Sequence, residues 1–108
     1  MAPYRKLEYY VDEDETIPFK QFIRRLKTRQ ERADCFALIE LLRSGGDELD
    51  GMQHLTHNHD VHEFRDDAIR IFYVYEGDGI VILDCLLPIQ GNDLSDIYRK
   101  AEDYGRED

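Results

Sequence analysis

The sequence has few cysteines, few basic residues and no long apolar run, and each shortage excludes a class of protein. Its two cysteines, Cys35 and Cys85, cannot build a disulfide framework; both lie in apolar runs, so we expect buried, reduced thiols in a cytosolic protein. No apolar run approaches the length of a bilayer-spanning helix, and the N-terminal residues lack the apolar core of a signal peptide. These absences predict a small cytoplasmic domain.

Acidic residues outnumber basic ones, 24 Asp and Glu against 14 Lys and Arg, for a formal net charge of −10. Nucleic-acid-binding surfaces normally carry an excess of Lys and Arg, so this balance argues against nucleic-acid binding by the surface as a whole. Tryptophan is absent, but seven Tyr and five Phe among 42% hydrophobic residues argue against intrinsic disorder. We expect the 108 residues to fold as a single domain.

The first third of the chain predicts a strand and two helices. Residues 4–11 have strand propensity, and the acidic run 12–15 predicts a solvated turn. Thr16 is a candidate N-cap for a first helix over residues 17–26, with Pro18 in its first turn.

A second helix begins at the capping box of Thr28 and Glu31 and ends at the Ser-Gly-Gly of residues 44–46. We expect the two helices to form an antiparallel hairpin. The polar residues 47–60 predict a loop.

The remaining residues predict three strands and a closing helix. Asn92 or Asp93 is the candidate cap of a helix that ends near residue 104. The strands are predicted over residues 61–65, 68–75 and 79–87. The order β-α-α-β-β-β-α predicts an α+β fold, in which a helical hairpin packs on a small, mainly antiparallel sheet.

Four segments between about residues 9 and 104 carry a resemblance to a known family: YYVDEDETIPFKQFIRRL, ALIELLRSGG, HEFRDDAIRIFYVYEGDGIVILDCLLPIQ and LSDIYRKAEDY. They resemble the RelE/ParE toxin superfamily, in particular the HigB-like, phage-derived branch of bacterial type II toxin–antitoxin systems. The resemblance implies a RelE-like fold and a ribosome-dependent mRNA endonuclease that needs no metal or cofactor. It also implies a helix-turn-helix antitoxin as partner.

The resemblance also implies a set of site residues. Arg65 and Arg70 lie where the family has its strand arginines, and a guanidinium suits a scissile phosphate because it grips phosphate oxygens and stays charged. His54 or His57 would move protons, and Tyr73 could donate one. Two structural alternatives stay open, a buried tyrosine and a cross-strand ion pair of the arginines with Glu63, Asp66, Asp67 or the C-terminal helix.

This chain departs from the family pattern at several positions. It has Pro88 and Ile89 where members usually have two lysines, and Asp84 where many members have a histidine. It also lacks the lysines that members have in the loop before the second strand. These departures and the acidic surface favour an alternative to the nuclease, a catalytically inactive RelE-fold binding or regulatory module. A gyrase-directed ParE-like toxin is a further alternative that rests on superfamily kinship alone.

A basic patch interrupts the acidic sequence, because residues 20–32 hold six basic residues and one acidic residue. It could bind RNA phosphates, meet an acidic partner or form a solvated helix face. Its members are Lys20, Arg24, Arg25, Lys27, Arg29 and Arg32.

Two further features carry candidate chemistry. The spacing of His54, His57, His59 and His62 matches no zinc motif, so we predict no metal site. We expect His62 to lie on the strand over residues 61–65, with His54 and His57 exposed in the preceding loop. Asp84 lies within the apolar run IVILDCLL, where a carboxylate is costly unless paired. We expect it to pair with a nearby arginine rather than to act as a catalytic acid.

Overall fold

The computed structural model describes residues 4–44, 53–88, 91 and 93–106, without the side chains of residues 53, 54 and 59. The described elements are strands β1 (Lys6–Tyr9), β2 (Gln53–Thr56), β3 (His62–Arg65), β4 (Arg70–Glu76) and β5 (Gly79–Leu86), and helices α1 (Pro18–Arg25), α2 (Arg29–Arg43) and α3 (Ser95–Arg106). The five strands form one sheet in the order β1-β5-β4-β3-β2. Only β1 pairs in parallel, with β5, so the predicted α+β class and the mainly antiparallel sheet are confirmed.

The sheet is covered on both faces, and each face has its own core. On the first face, both α1 and α2 bury apolar side chains against β3, β4 and β5, with Phe22, Leu42 and Tyr73 among them. On the second face, α3 packs through Ile97 and Ala101 onto residues that include Phe72. Alternate residues of β4 therefore serve opposite cores, as the alternation in the sequence predicts. Among the described helices, none combines the length and the apolar character needed to cross a membrane.

Local signals fixed the start of α2 but not that of α1. The capping box forms as predicted: Glu31 N donates to Thr28 Oγ1, and Thr28 N donates to Glu31 Oε1, both at 3.0 Å. The predicted Thr16 cap is wrong, because Ile17 occupies the N-cap position. The carboxylate of Asp12 instead accepts hydrogen bonds from the backbone N–H groups of Asp14 and Thr16.

The predicted loop over residues 47–60 is wrong in its described half. Residues 53–56 form β2, and a 3₁₀ turn follows at Asn58–Asp60. β2 is a short edge strand whose neighbour is β3, so backbone pairing rather than apolar alternation specifies it. Residues 47–52, the glycines at 45 and 46 and the candidate cap Asn92 lie outside the described residues. The other candidate cap, Asp93, accepts a hydrogen bond from Ser95 N at 3.1 Å.

Candidate functional site

The second face of the sheet holds a fully buried carboxylate, that of Glu63 in β3. Arg70 of β4 binds both of its oxygens: Nε donates to Oε2 at 2.7 Å, and Nη2 donates to Oε1 at 3.3 Å. The remaining terminal nitrogen of Arg70, Nη1, donates to the carbonyl oxygen of Gly91 at 2.6 Å. Arg70 is only 3% exposed, so its guanidinium is committed to groups inside the protein.

Two more side chains meet the same carboxylate from its more open side. The His57 ring nitrogen Nε2 lies 2.8 Å from Glu63 Oε1, and the Arg65 guanidinium nitrogen Nη1 lies 3.6 Å from Glu63 Oε2. Their side chains are 22% and 35% exposed. We call His57, Glu63, Arg65 and Arg70 the Glu63 cluster. It places one buried anion among two arginines and a histidine, with the histidine and one arginine reaching solvent.

Strand register explains why these side chains meet. Arg65 and Arg70 are direct partners in the β3–β4 pairing, and Glu63 lies opposite Phe72 two positions further along. Because side chains alternate along a strand, Glu63, Arg65 and Arg70 all point to the second face. The Arg70 guanidinium carbon lies 5.2 Å from the centre of the Phe72 ring, which forms the apolar side of the cluster.

The cluster holds Glu63 in its charged form. Burial by itself would raise the pKa of Glu63, but hydrogen bonds from Arg70 and His57 and the charges of both arginines outweigh it and lower the pKa. Glu63 is therefore an ionised carboxylate that fixes the position of the His57 ring.

This depressed pKa predicts a pH dependence of stability. A carboxyl group whose pKa is lower in the folded than in the unfolded state contributes stability above its unfolded pKa of about 4.3. That contribution is lost as the pH falls through the lower, folded value. Urea unfolding measured from neutral to acidic pH is expected to show this loss in the wild type and a smaller one in Glu63→Gln. Identical acid limbs in the two proteins would contradict the assignment.

The structure brings together three of the five predicted catalytic residues, His57, Arg65 and Arg70. Tyr73 is fully buried on the other face of the sheet, where its ring stacks on His62 with centroids 5.5 Å apart. The backbone of His54 lies in β2 opposite Phe64, and its side chain lies outside the described part. The buried-tyrosine alternative thus describes Tyr73, and the ion-pair alternative describes Arg70 and, at the longer distance of 3.6 Å, Arg65.

Sequence reasoning named Glu63 only as one possible ion-pair partner and missed its central position. The available signal was its alternation with Arg65 in the short strand HEFR, which places both on one face. The basic patch, by contrast, lies on α1, α2 and the segment between them, and these helices cover the opposite face of the sheet. The patch and the Glu63 cluster are therefore on different sides of the molecule.

Asp84 is paired, as expected, although its partner is a lysine. Asp84 Oδ2 lies 3.2 Å from Nζ of the buried Lys100 on α3, which also contacts Asp96. Asp84 Oδ1 accepts a hydrogen bond from the backbone N–H of Cys85 at 2.8 Å. These contacts join β5 to α3 and give Asp84 a structural role.

The two cysteines are buried free thiols, as predicted. Burial raises the pKa of the Cys85 thiol well above its ordinary value, and the adjacent Cys35 raises it further. A thiol in that state is a poor nucleophile.

This burial predicts the pattern of thiol reactivity. In the native protein, modification of both thiols by an Ellman-type reagent is expected to be slowed at least about 10³-fold relative to urea-unfolded protein, because it must proceed through the small unfolded fraction. Rapid native-state reaction of either cysteine would contradict the packing.

The histidines do not act as one group in the structure. His62 lies on the first face, with its Nδ1 3.2 Å from Thr56 Oγ1, whereas His57 contacts Glu63. Within the described part of the chain, no three His, Cys, Asp or Glu side chains are grouped closely enough to hold a metal ion.

Neither a known protein-family model nor a curated protein sequence matches this chain.

Proposed function

We propose that this chain is a RelE-like toxin domain that cleaves mRNA in a ribosome-dependent manner. The observation that carries the proposal is the Glu63 cluster, in which one ionised carboxylate contacts both His57 and the partly exposed Arg65. The α+β order with a closing helix, and the resemblance of segments across most of the chain, support the family assignment.

The cluster supplies the groups that RNA cleavage requires. The 2′-oxygen attacks the adjacent phosphorus, the bond from phosphorus to the 5′-oxygen breaks, and a cyclic phosphate and a 5′-hydroxyl result. Arg65 would stabilise the negative charge that grows on the phosphate oxygens. His57, with Nε2 turned to Glu63, would accept the proton of the 2′-hydroxyl at Nδ1, and the departing 5′-oxygen would take its proton from water.

Arg70 has a different role in this proposal. Because its guanidinium is buried against Glu63 and Gly91, it acts as a positioning residue that keeps the carboxylate charged and fixed. Tyr73 has no part in the reaction, since its ring is in the core of the other face. The ribosome and a helix-turn-helix antitoxin are the partners that the family resemblance supplies.

Substitution of Arg65 tests the proposal. Arg65→Ala is expected to lower the rate of mRNA cleavage in a translation extract by about 10²–10³-fold, the usual loss when one transition-state charge partner is removed. Arg106→Ala is the matched control, because it removes an equally charged but exposed side chain on α3. Equal cleavage by both variants would contradict the role of Arg65.

A specific observation favours a second candidate, the catalytically inactive RelE-fold binding module. One of the two arginines expected at the phosphate, Arg70, is committed to internal partners. In that case the cluster serves stability alone. Wild-type protein would then leave mRNA intact, and Arg65→Ala would alter at most the stability of the fold.

A further inference from the structure

An apolar groove opens on the first side of the molecule, between the end of β1 and helices α1 and α2. Its volume is about 230 Å³, and Tyr9, Phe19, Ile23 and Phe36 line it. Phe36 is the most unusual of these residues, since 46% of this large apolar side chain is exposed. Exposed aromatic side chains beside other apolar groups are typical of protein-binding surfaces.

The rim of this groove is basic. Lys20 and Arg24 line it directly, and the neighbouring depression is lined by the same two side chains. Neither side chain forms an ion pair with a carboxylate of the described residues, and the same holds for the exposed Arg25, Lys27 and Arg29. In a chain of net charge −10, these side chains concentrate positive charge on one surface, and the acidic Glu15 lines the neighbouring depression together with Lys20 and Arg24.

The aromatic rings of the groove are already engaged with each other. Tyr9 stacks on Phe19 with ring centroids 4.8 Å apart and planes inclined by 15°, and Phe36 meets Phe19 edge-on at 5.8 Å. Single-stranded nucleic acids need free ring faces on which bases can stack. A floor of engaged rings and an isoleucine suits aliphatic side chains better, so the groove favours a peptide over RNA.

We propose that this groove binds an acidic amphipathic segment of a partner protein. Aliphatic side chains of the segment would fill the space beside Ile23 and Phe36, and its carboxylates would pair with Lys20 and Arg24. The proposal is independent of the nuclease assignment, because the groove and the Glu63 cluster lie on opposite sides of the sheet.

The probe for this site is a short fluorescein-labelled peptide of Glu and Leu at amphipathic helical spacing. Fluorescence anisotropy is expected to show binding of this peptide, but not of a version with Lys in place of Glu or one with Ser in place of Leu. Phe36→Ala is expected to weaken binding by at least about tenfold, the loss typical of a central apolar contact. The double variant Lys20→Glu, Arg24→Glu is expected to abolish the binding and its salt dependence.

Two control variants sit outside the groove. Tyr75→Ala removes an aromatic ring of similar exposure, and Arg106→Glu reverses a charge on α3. Both are expected to bind the peptide as the wild type does, with thermal unfolding confirming that each variant is folded. The charge variant keeps the test valid should Phe36→Ala unfold. Absent peptide binding, equal loss in the controls, or patch-dependent binding of an unstructured RNA oligonucleotide in place of the peptide would overturn the proposal.

Discussion

Glu63→Gln is expected to lower the free energy of unfolding by about 3–5 kcal/mol, the usual cost of removing one charge from a buried ion pair. The substitution keeps the size of the side chain but removes the charge. Arg70, at 3% exposure, would then be left as a buried cation without its counter-charge. Chemical denaturation at neutral pH measures the loss directly.

The control for this experiment is a surface pair. The Arg106 guanidinium nitrogen Nη2 lies 3.7 Å from Glu102 Oε2 on α3, and both side chains are exposed. Arg106→Gln is expected to change the free energy of unfolding by less than about 1 kcal/mol, because solvent screens exposed pairs. A loss at Glu63 no greater than that at Arg106 would mean that the Glu63 carboxylate does not hold Arg70.

His57→Ala is expected to lower the rate of RNA cleavage by about 10²–10⁴-fold, the range attributed to a positioned general acid or base. Arg70 still grips both oxygens of Glu63 in this variant, so the carboxylate keeps its main partner and the fold is expected to survive. Primer extension on a defined mRNA measures the rate.

His62→Ala is the matched control for this variant. His62 lies only five residues further along the chain than His57, but its ring stacks on Tyr73 on the opposite face of the sheet. Its removal is expected to leave cleavage within a few-fold of the wild type, whereas a loss equal to that of His57→Ala would point to general destabilisation.

Elements whose signals are local could be predicted from the sequence. The capping box of Thr28 and Glu31 lies within four residues and fixes the start of α2. Strand β2 could not be found in this way, since its polar residues Gln53–Thr56 are specified by pairing with β3. The start of α1 was misplaced because the Asp12 carboxylate, four residues away, captures the N–H of Thr16.

The candidate site was partly predictable for the same reason. Arg65 and Arg70 flank a short turn between adjacent strands, so their proximity follows from the hairpin. The commitment of Arg70 to internal partners was not predictable, because one of them, the carbonyl oxygen of Gly91, lies 21 residues further along the chain and no local pattern shows it. Tyr73 lies on the other face because side chains alternate along a strand and Tyr73 is three positions, an odd number, from Arg70.

The proposed nuclease activity of the Glu63 cluster is tested by incubating the wild-type protein with mRNA in a purified translation system. Products are mapped by primer extension with ribosomes present and with ribosomes withheld. We expect cuts within codons that require ribosomes and disappear in Arg65→Ala. Intact mRNA from protein shown by cooperative unfolding to be folded would contradict this expectation, and would leave the cluster as a structural ion pair.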